Sequence, residues 1–294
     1  MKHYKSGFVA LLGRPNVGKS TILNRLVGQK IAIATDKPQT TRRRLQGIFT
    51  NDEAQIIFVD TPGIHKPKDK LGEFLLDESK LAVPDVDLIL FVVDATELAG
   101  RGDNWIVNNI LKEAKVPVII VLNKSDMIKD IRKREENLLT YKSLFKENLP
   151  CIKISAKTGR NIDTLIDNII RKLPKGDKIY PDGEVTLETM RDIAKELIRE
   201  KILLYTRDEI PHSVAVVIDK YQEEKNIDKI YATILVEQDS QKGILIGKAG
   251  QMLKKIGTEA RLEIEESAER KVFLDLKVKV KKDWRSFQDA NDFC

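Results

Sequence analysis

The chain has 294 residues, 41% of them hydrophobic, a length that suits two domains of ordinary size and a composition that excludes collagenous and broadly disordered chains. Its net charge of +6 is compatible with an anionic partner without demanding one. The longest apolar runs, such as Leu88–Val93 and Val116–Leu122, fall far short of the roughly 20 residues that cross a bilayer, so neither a span nor a secretory leader is expected.

In chain order, β-type runs at Phe8–Leu12, Leu45–Thr50, Gln55–Val59, Leu88–Val93, Val116–Leu122 and Cys151–Ile154 alternate with helical patterns. Strands spaced by helices predict βαβ units, an α/β fold whose mostly parallel sheet is covered on both faces. Asn51-Asp-Glu-Ala54 reads as a hairpin turn between the second and third runs, which places one antiparallel strand at the sheet edge. Between Leu173 and Gly183 two prolines, two glycines and no periodicity interrupt the pattern. The predicted organisation is therefore a first domain over 1–173, a linker over 174–185, and a smaller α+β domain with a C-terminal tail over 186–294. That second domain opens with Leu187, Met190, Ala194, Leu197 and Leu204 at helical spacing, continues with β-type runs Val214–Ile218 and Ile230–Val236, and ends in a helix from Gln251 and a strand Val272–Val280. In the last strand Lys277, Lys279 and Lys281 alternate with apolar residues, as in a half-buried strand with one basic face. Cys151, Cys294 and the histidines His3, His65 and His212 are scattered. No disulfide framework and no zinc site are expected, and a reducing cytoplasm fits.

Gly13-Arg-Pro-Asn-Val-Gly-Lys-Ser20 matches G-x-x-x-x-G-K-[ST] between a strand and a helix. Such a loop curls backbone N–H groups around phosphate oxygens at a helix N-terminus; Gly13, Asn16, Val17, Gly18, Lys19, Ser20 and Thr21 are its nucleotide-binding candidates, with Lys19 set to bridge the β- and γ-phosphates. Ser20 offers a hydroxyl to Mg²⁺. Asp60-Thr-Pro-Gly63 matches D-x-x-G: Asp60 is a second metal candidate, and the Gly63 N–H is placed for the γ-phosphate. Asn123-Lys124-Ser-Asp126 supplies N-K-x-D, whose aspartate accepts the two neighbouring donors that guanine has and adenine lacks, a discrimination worth roughly 10⁴–10⁵. An ATP-using kinase is disfavoured for that reason.

These motifs, in this order and each at the end of a β-run, resemble the translation-factor-related GTPases over residues 5–173. The resemblance implies GTP and GDP as ligands and hydrolysis of GTP, which is expected to be slow because Ile64 stands in place of a water-orienting glutamine. It implies further that Ser155-Ala156-Lys157 brings a backbone N–H to the guanine oxo group. It also implies that Gln39-Thr-Thr-Arg-Arg43 contains the switch threonine for metal and γ-phosphate, Thr41 in preference to Thr40. Lys19, Thr41 and Gly63 are thus the expected catalytic groups; Ser20, Thr41 and Asp60 are the expected metal ligands. Ile64 stands where Ras-type GTPases carry a water-orienting glutamine and cannot make that bond. His65, next to Lys66, Pro67 and Lys68, is expected to be solvated rather than a base.

Gly243-Ile-Leu-Ile-Gly-Lys-Ala-Gly250 in an α-β-β-α-α-β context resembles the I-G-x-x-G core of a bacterial KH domain, which clamps about four single-stranded nucleotides. Gly243, Ile244, Ile246, Gly247, Lys248, Ala249, Gly250 and Lys254 are the RNA-contact candidates. Residues 181–294 carry a net charge of −3 against +9 for residues 1–180, so the cationic footprint is local: Lys242, Lys248, Lys254 and Lys255 stand with no acid among them. A GTPase domain joined to such a domain resembles the bacterial Era GTPase family over nearly the whole chain. What that implies is a monomeric ribosome-assembly GTPase that binds the 3′ end of small-subunit ribosomal RNA. The alternative is a regulatory GTPase whose C-terminal domain is an adaptor for a protein or for the inner face of the cell membrane.

Overall fold

The computed structural model describes residues 3–37, 40–66, 70–207, 210–282 and 284, apart from the side chains of Lys70, Leu71, Pro211 and His212. Gln39, Pro67, Lys68 and Cys294 lie outside the described residues. The chain divides into two compact units, Met1–Ala34 with Pro38–Leu187 and Thr35–Lys37 with Glu188–Cys294.

The first unit runs β1 (Lys5–Leu12), α1 (Lys19–Val27), β2 (Leu45–Thr50), β3 (Ala54–Asp60), α2 (Lys70–Lys80), β4 (Leu88–Asp94), α3 (Arg101–Asn109), β5 (Val118–Asn123), α4 (Ile131–Lys142), β6 (Cys151–Lys153) and α5 (Ile162–Lys172). Its six-stranded sheet has the order β2-β3-β1-β4-β5-β6; all neighbours are parallel except the hairpin β2–β3. Because helices cover both faces, β4 is apolar at every position from Leu88 to Val93 rather than alternately. In β4, Leu88, Leu90 and Val92 join α1 and α5 on one face, while Ile89, Phe91 and Val93 join α3 and α4 on the other. The loops after β1, β3, β5 and β6, which carry the sequence motifs, leave the carboxyl ends of the strands, the side on which open α/β sheets bind ligands.

Residues 174–187 are laid along this unit. Gln55, fully buried, receives N–H bonds from Ile179 and Tyr180 on its amide oxygen at 2.7 and 2.8 Å and donates to the Tyr180 carbonyl at 2.9 Å. The Ile48 N–H donates to the Val185 carbonyl at 2.8 Å, and Thr186 Oγ1 to the Gln46 carbonyl at 2.8 Å.

The second unit runs α6 (Met190–Tyr205), α7 (Ile210–Ser213), β7 (Ala215–Glu223), β8 (Asp228–Val236), α8 (Asp239–Ile246), α9 (Gln251–Ala268) and β9 (Val272–Val280). Its sheet has the order β7-β8-β9, with β7–β8 antiparallel and β8–β9 parallel. Ala194, Leu197 and Ile198 of α6 and Ile256, Ala260 and Ile264 of α9 pack on one face of that sheet. The helix expected near residue 187 starts at Met190: the Thr189 hydroxyl accepts the Asp192 N–H, and Asp192 reaches back to the Thr189 N–H, a capping box that fixes the first turn and leaves Leu187 outside it. The short α7 carries no sequence signal of its own. Among the described residues no helix is long and apolar enough to cross a membrane.

Candidate functional site

The loop after β1 is shaped by its neighbours. A Cβ on Gly13 would lie 2.2 Å from the Val92 carbonyl oxygen, so only glycine lets the loop pass β4 and turn into α1. Lys19, the first residue of α1, is buried; its ammonium donates to the Gly13 and Arg14 carbonyls at 3.2 and 3.1 Å. Burial lowers its pKa to about 8, against the pull of Asp60. A cation held in a dry loop of backbone N–H groups is primed for a phosphate, which restores the full charge.

Ser20, Thr41 and Asp60 arrive from three separate elements and meet. Ser20 Oγ donates to Asp60 Oδ2 at 2.6 Å and lies 2.9 Å from Thr41 Oγ1, which is 3.5 Å from the same carboxylate oxygen. Thr41 is thus the threonine whose hydroxyl joins the cluster. Asp60 is fully buried, and its other oxygen, Oδ1, has no hydrogen-bond partner. Burial pushes the Asp60 carboxyl above its ordinary range even though Lys19, Ser20, the Thr61 N–H and Thr41 all work against that rise. An orphaned buried carboxylate oxygen beside two hydroxyls is a hard oxygen donor set, which fits Mg²⁺ with its preference for few protein oxygens, phosphate oxygens and waters. Gly63 follows on the same loop, and the Ile64 N–H donates to the Gly13 carbonyl at 3.0 Å, tying this loop to the phosphate loop. The Ile64 side chain is buried in the α3–α4 core layer. His65 is half-buried, with Nδ1 3.4 Å from the Gly63 carbonyl oxygen.

The base-side motifs are braced to the phosphate loop. Asn123 at the end of β5 donates to the Val17 carbonyl at 2.9 Å and accepts from the Ala156 N–H at 3.0 Å. Three of the four motifs are therefore joined through one buried amide. Lys124, at φ 61°, donates to Asp94 Oδ2 at 2.6 Å. Burial would raise the Asp94 carboxyl, but the bonds from Lys124 and Thr96 overcome it and hold the group below its ordinary range. Asp126 is exposed, its carboxylate available to a base. Ser155 accepts the Thr158 N–H on its hydroxyl at 3.1 Å, shaping the turn that presents Ala156 and Lys157.

Three contributors escape a motif reading. Asp94 ends β4 between two motif-bearing strands and orients Lys124; its place at a strand's carboxyl end is the one signal it gives. Arg25 of α1 donates to the Ala156 and Lys157 carbonyls at 3.0 and 2.8 Å. Asn24 accepts the Ile31 and Ala32 N–H groups and donates to the Ala32 carbonyl, fixing the chain that leads toward Thr41.

In the second unit the RNA-contact candidates fall on one helix–loop–helix corner. Gly247 ends α8 at φ 71°, and a Cβ there would lie 2.7 Å from that of Met252. A single turn, Lys248–Gly250, then leads into α9, with Lys248 and Ala249 exposed and Ala249 itself at φ 51°. The loop thus presents backbone and the N-terminus of an 18-residue helix, a combination suited to a phosphate chain. Ile244 is exposed, whereas Ile246 packs at the rim of the core; Gly243 and Lys254 are exposed beside the loop.

Comparison with known proteins adds the family context. The sequence family described as 50S ribosome-binding GTPase matches residues 8–124, and the KH domain family matches residues 209–285. The crystal structure of Era in complex with MgGDPNP and nucleotides 1506–1542 of 16S ribosomal RNA is 41% identical, covers 98% of this chain and 97% of its own, and superposes with a TM-score of 0.94. A variant of Aquifex aeolicus Era bound to GDP·AlF4⁻ is 40% identical over 97% of both chains, with a TM-score of 0.93.

Proposed function

This chain belongs to the Era family of GTPases, and from that premise we propose that it binds the 3′ end of small-subunit ribosomal RNA and assists small-subunit assembly under the control of bound GTP. The observation that carries the switch reading is the meeting of Thr41 with Ser20 and Asp60: a side chain from the loop before β2 shares one cluster with the phosphate-loop hydroxyl, so the γ-phosphate side of the site and that loop are read together.

As a GTPase the chain acts through positioning and charge. Lys19 supplies a dry cation for the β- and γ-phosphates, and the Gly63 N–H meets the γ-phosphate. Asp126 selects guanine while Asn123 and Lys124 brace the base pocket. Ser20, Thr41 and Asp60 would hold Mg²⁺, which neutralises charge developing between the β- and γ-oxygens. Ile64, buried in the core, cannot orient the attacking water as a glutamine there would, and unaided hydrolysis is slow, on the scale of about 10⁻⁴–10⁻³ s⁻¹ seen for unassisted GTPases. Fast, partner-independent single-turnover hydrolysis would refute this.

The Gly247–Gly250 corner would hold the RNA backbone, Ile244 facing the bases and Lys248 and Lys254 the phosphates. The protein is proposed to act in the cytoplasm, as a monomer. RNA affinity measured with a GTP analogue and with GDP tests the coupling: a difference is expected, and equal values sink it. Flotation with anionic vesicles tests the membrane alternative, for which no flotation is expected.

A further inference from the structure

The sheet of the second unit has two faces. One is filled by α6 and α9; the other, among the described residues, is exposed at Lys220, Phe273, Lys277 and Lys279. At one end of the open face Ala215 and Leu235 are covered by the chain's own Trp284, whose indole N–H donates to the Ser213 carbonyl at 3.1 Å. At the other end a second apolar feature has no such cover among the described residues. Phe273 of β9 is 45% exposed and packs against Tyr231 of β8 with ring centroids 5.8 Å apart. The exposed Phe273 ring, held by half-buried Tyr231, offers a face on which a base can stack.

Lysines border it, interspersed with acids. Cross-strand register places Lys220 beside Tyr231 and Lys229 beside Phe273. Farther along β9, Lys277 and Lys279 are exposed on the same face. The acids among them are engaged: Asp219 accepts the Thr233 hydroxyl at 2.7 Å, Asp275 lies 3.7 Å from Lys277 Nζ, and Glu224 pairs with Lys229 at 2.8 Å. Lysines beside an exposed ring form the combination that single-stranded nucleic acid uses, base on aromatic and phosphate on cation.

The Gly247–Gly250 corner lies on the helix side of this sheet, beside its edge strand β9. A Cβ on Gly257 of α9 would lie 3.3 Å from Leu276 of β9. Helix α9 returns to β9 through a tight connection, so the two run in opposite directions, and stepping from Gly257 back to Gly250 moves about 10 Å toward the Lys279 end of β9. From Lys279 to Phe273 is six residues, about 20 Å of strand. As β9 is the edge strand, it is the one strand that an RNA leaving the corner has to pass round to reach the open face.

We propose that this face is a second RNA platform: the Phe273–Tyr231 pair stacks an unpaired base, and Lys277 and Lys279 hold the phosphates of the strand that leaves the Gly247–Gly250 corner. The proposal rests on the RNA reading given above and extends it to a longer single-stranded ligand.

The test uses the full chain and two labelled single-stranded RNAs, one of about five nucleotides, enough for the corner, and one of about twelve. Phe273→Ala is expected to weaken the longer RNA about tenfold and to leave the shorter one unchanged; Phe273→Tyr keeps both. Lys277→Ala with Lys279→Ala is expected to lower the salt slope for the longer RNA by about 1.4, at 0.7 per lost phosphate contact. Wild-type affinity for the longer RNA in these variants would overturn the proposal and leave the face to a protein partner. Equal weakening of both RNAs would overturn it too, since that reports damage to the corner. The corner reading is checked separately by Gly250→Asp: undiminished binding of the short RNA there refutes the corner, whereas the platform stands or falls on the other variants.

Discussion

The two glycine loops, Gly13–Ser20 and Gly247–Gly250, handle the same chemical group by opposite means. The first is walled in: a β4 carbonyl lies against Gly13, Lys19 is buried, and the carboxylate of Asp60 is left with an unsatisfied oxygen. The second is open, with nothing within 4 Å of where a Cβ on Gly250 would stand and a close contact only for one on Gly247. Enclosure strengthens each charge because water does not screen it, and so permits discrimination among small ligands. An open backbone corner gives up that strength for access by a chain of any length.

The largest effect expected within the enclosed site is on base choice. Asp126→Asn should weaken GTP by about 10³-fold or more, with binding recovered for xanthosine triphosphate, whose 2-oxo group accepts from the amide; unchanged GTP affinity would remove guanine recognition from this residue. Lys19→Ala should cost about 100-fold in GTP affinity while nucleotide-free RNA binding stays level, which direct titrations of both ligands check. Gly13→Ala and Gly250→Ala sharpen the contrast between the loops. The first forces a methyl into a carbonyl and should cost about 3 kcal/mol of stability or more. The second meets only the left-handed backbone, φ 75°, and should cost about 1–2 kcal/mol, both read by denaturant unfolding.

The pH response separates the loops as well. Lys19 holds its proton only to about pH 8 in the fold but to 10.5 as an ordinary lysine. Between those values the unfolded chain binds more protons than the native one, so nucleotide-free stability should gain from this group as pH rises through the window. GTP needs the ammonium, so its binding at pH 8.5 should take up most of a proton, visible as a dependence of calorimetric heat on buffer ionisation enthalpy. The smallest effect is expected from Asp94→Asn, which loosens Lys124 and should weaken GTP three- to tenfold.

Much of this was legible in the residues because the motifs sit where strand pattern and loop chemistry agree. The apolar run Leu88–Val93 reads as a doubly covered strand, and it is one; Thr41, the threonine preferred on the switch resemblance, lies 3.5 Å from Asp60 Oδ2. What stayed hidden depends on partners remote in sequence. Asp94 needs Lys124 across a neighbouring strand, Arg25 needs the turn at residue 156, and Gln55 needs carbonyl and N–H groups 124 or 125 residues away. A polar residue in a buried strand announces that it must be satisfied, not by whom. The aromatic pair on β8 and β9 was equally silent, since alternation tells which residues share a face and not which of the two faces the helices cover.

The grip of Gln55 on Ile179 and Tyr180 bears on where this protein can be cut. A fragment stopping at Leu173, the last residue before the proline-rich stretch, would strip a buried amide of every bond it makes to that stretch and bare the edge of β2. One stopping at Leu187 would keep them. The excised nucleotide-binding half should therefore be sturdier with fourteen seemingly dispensable residues retained than without them, and a melting comparison of the two fragments would reveal whether that stretch is a tether or a seam.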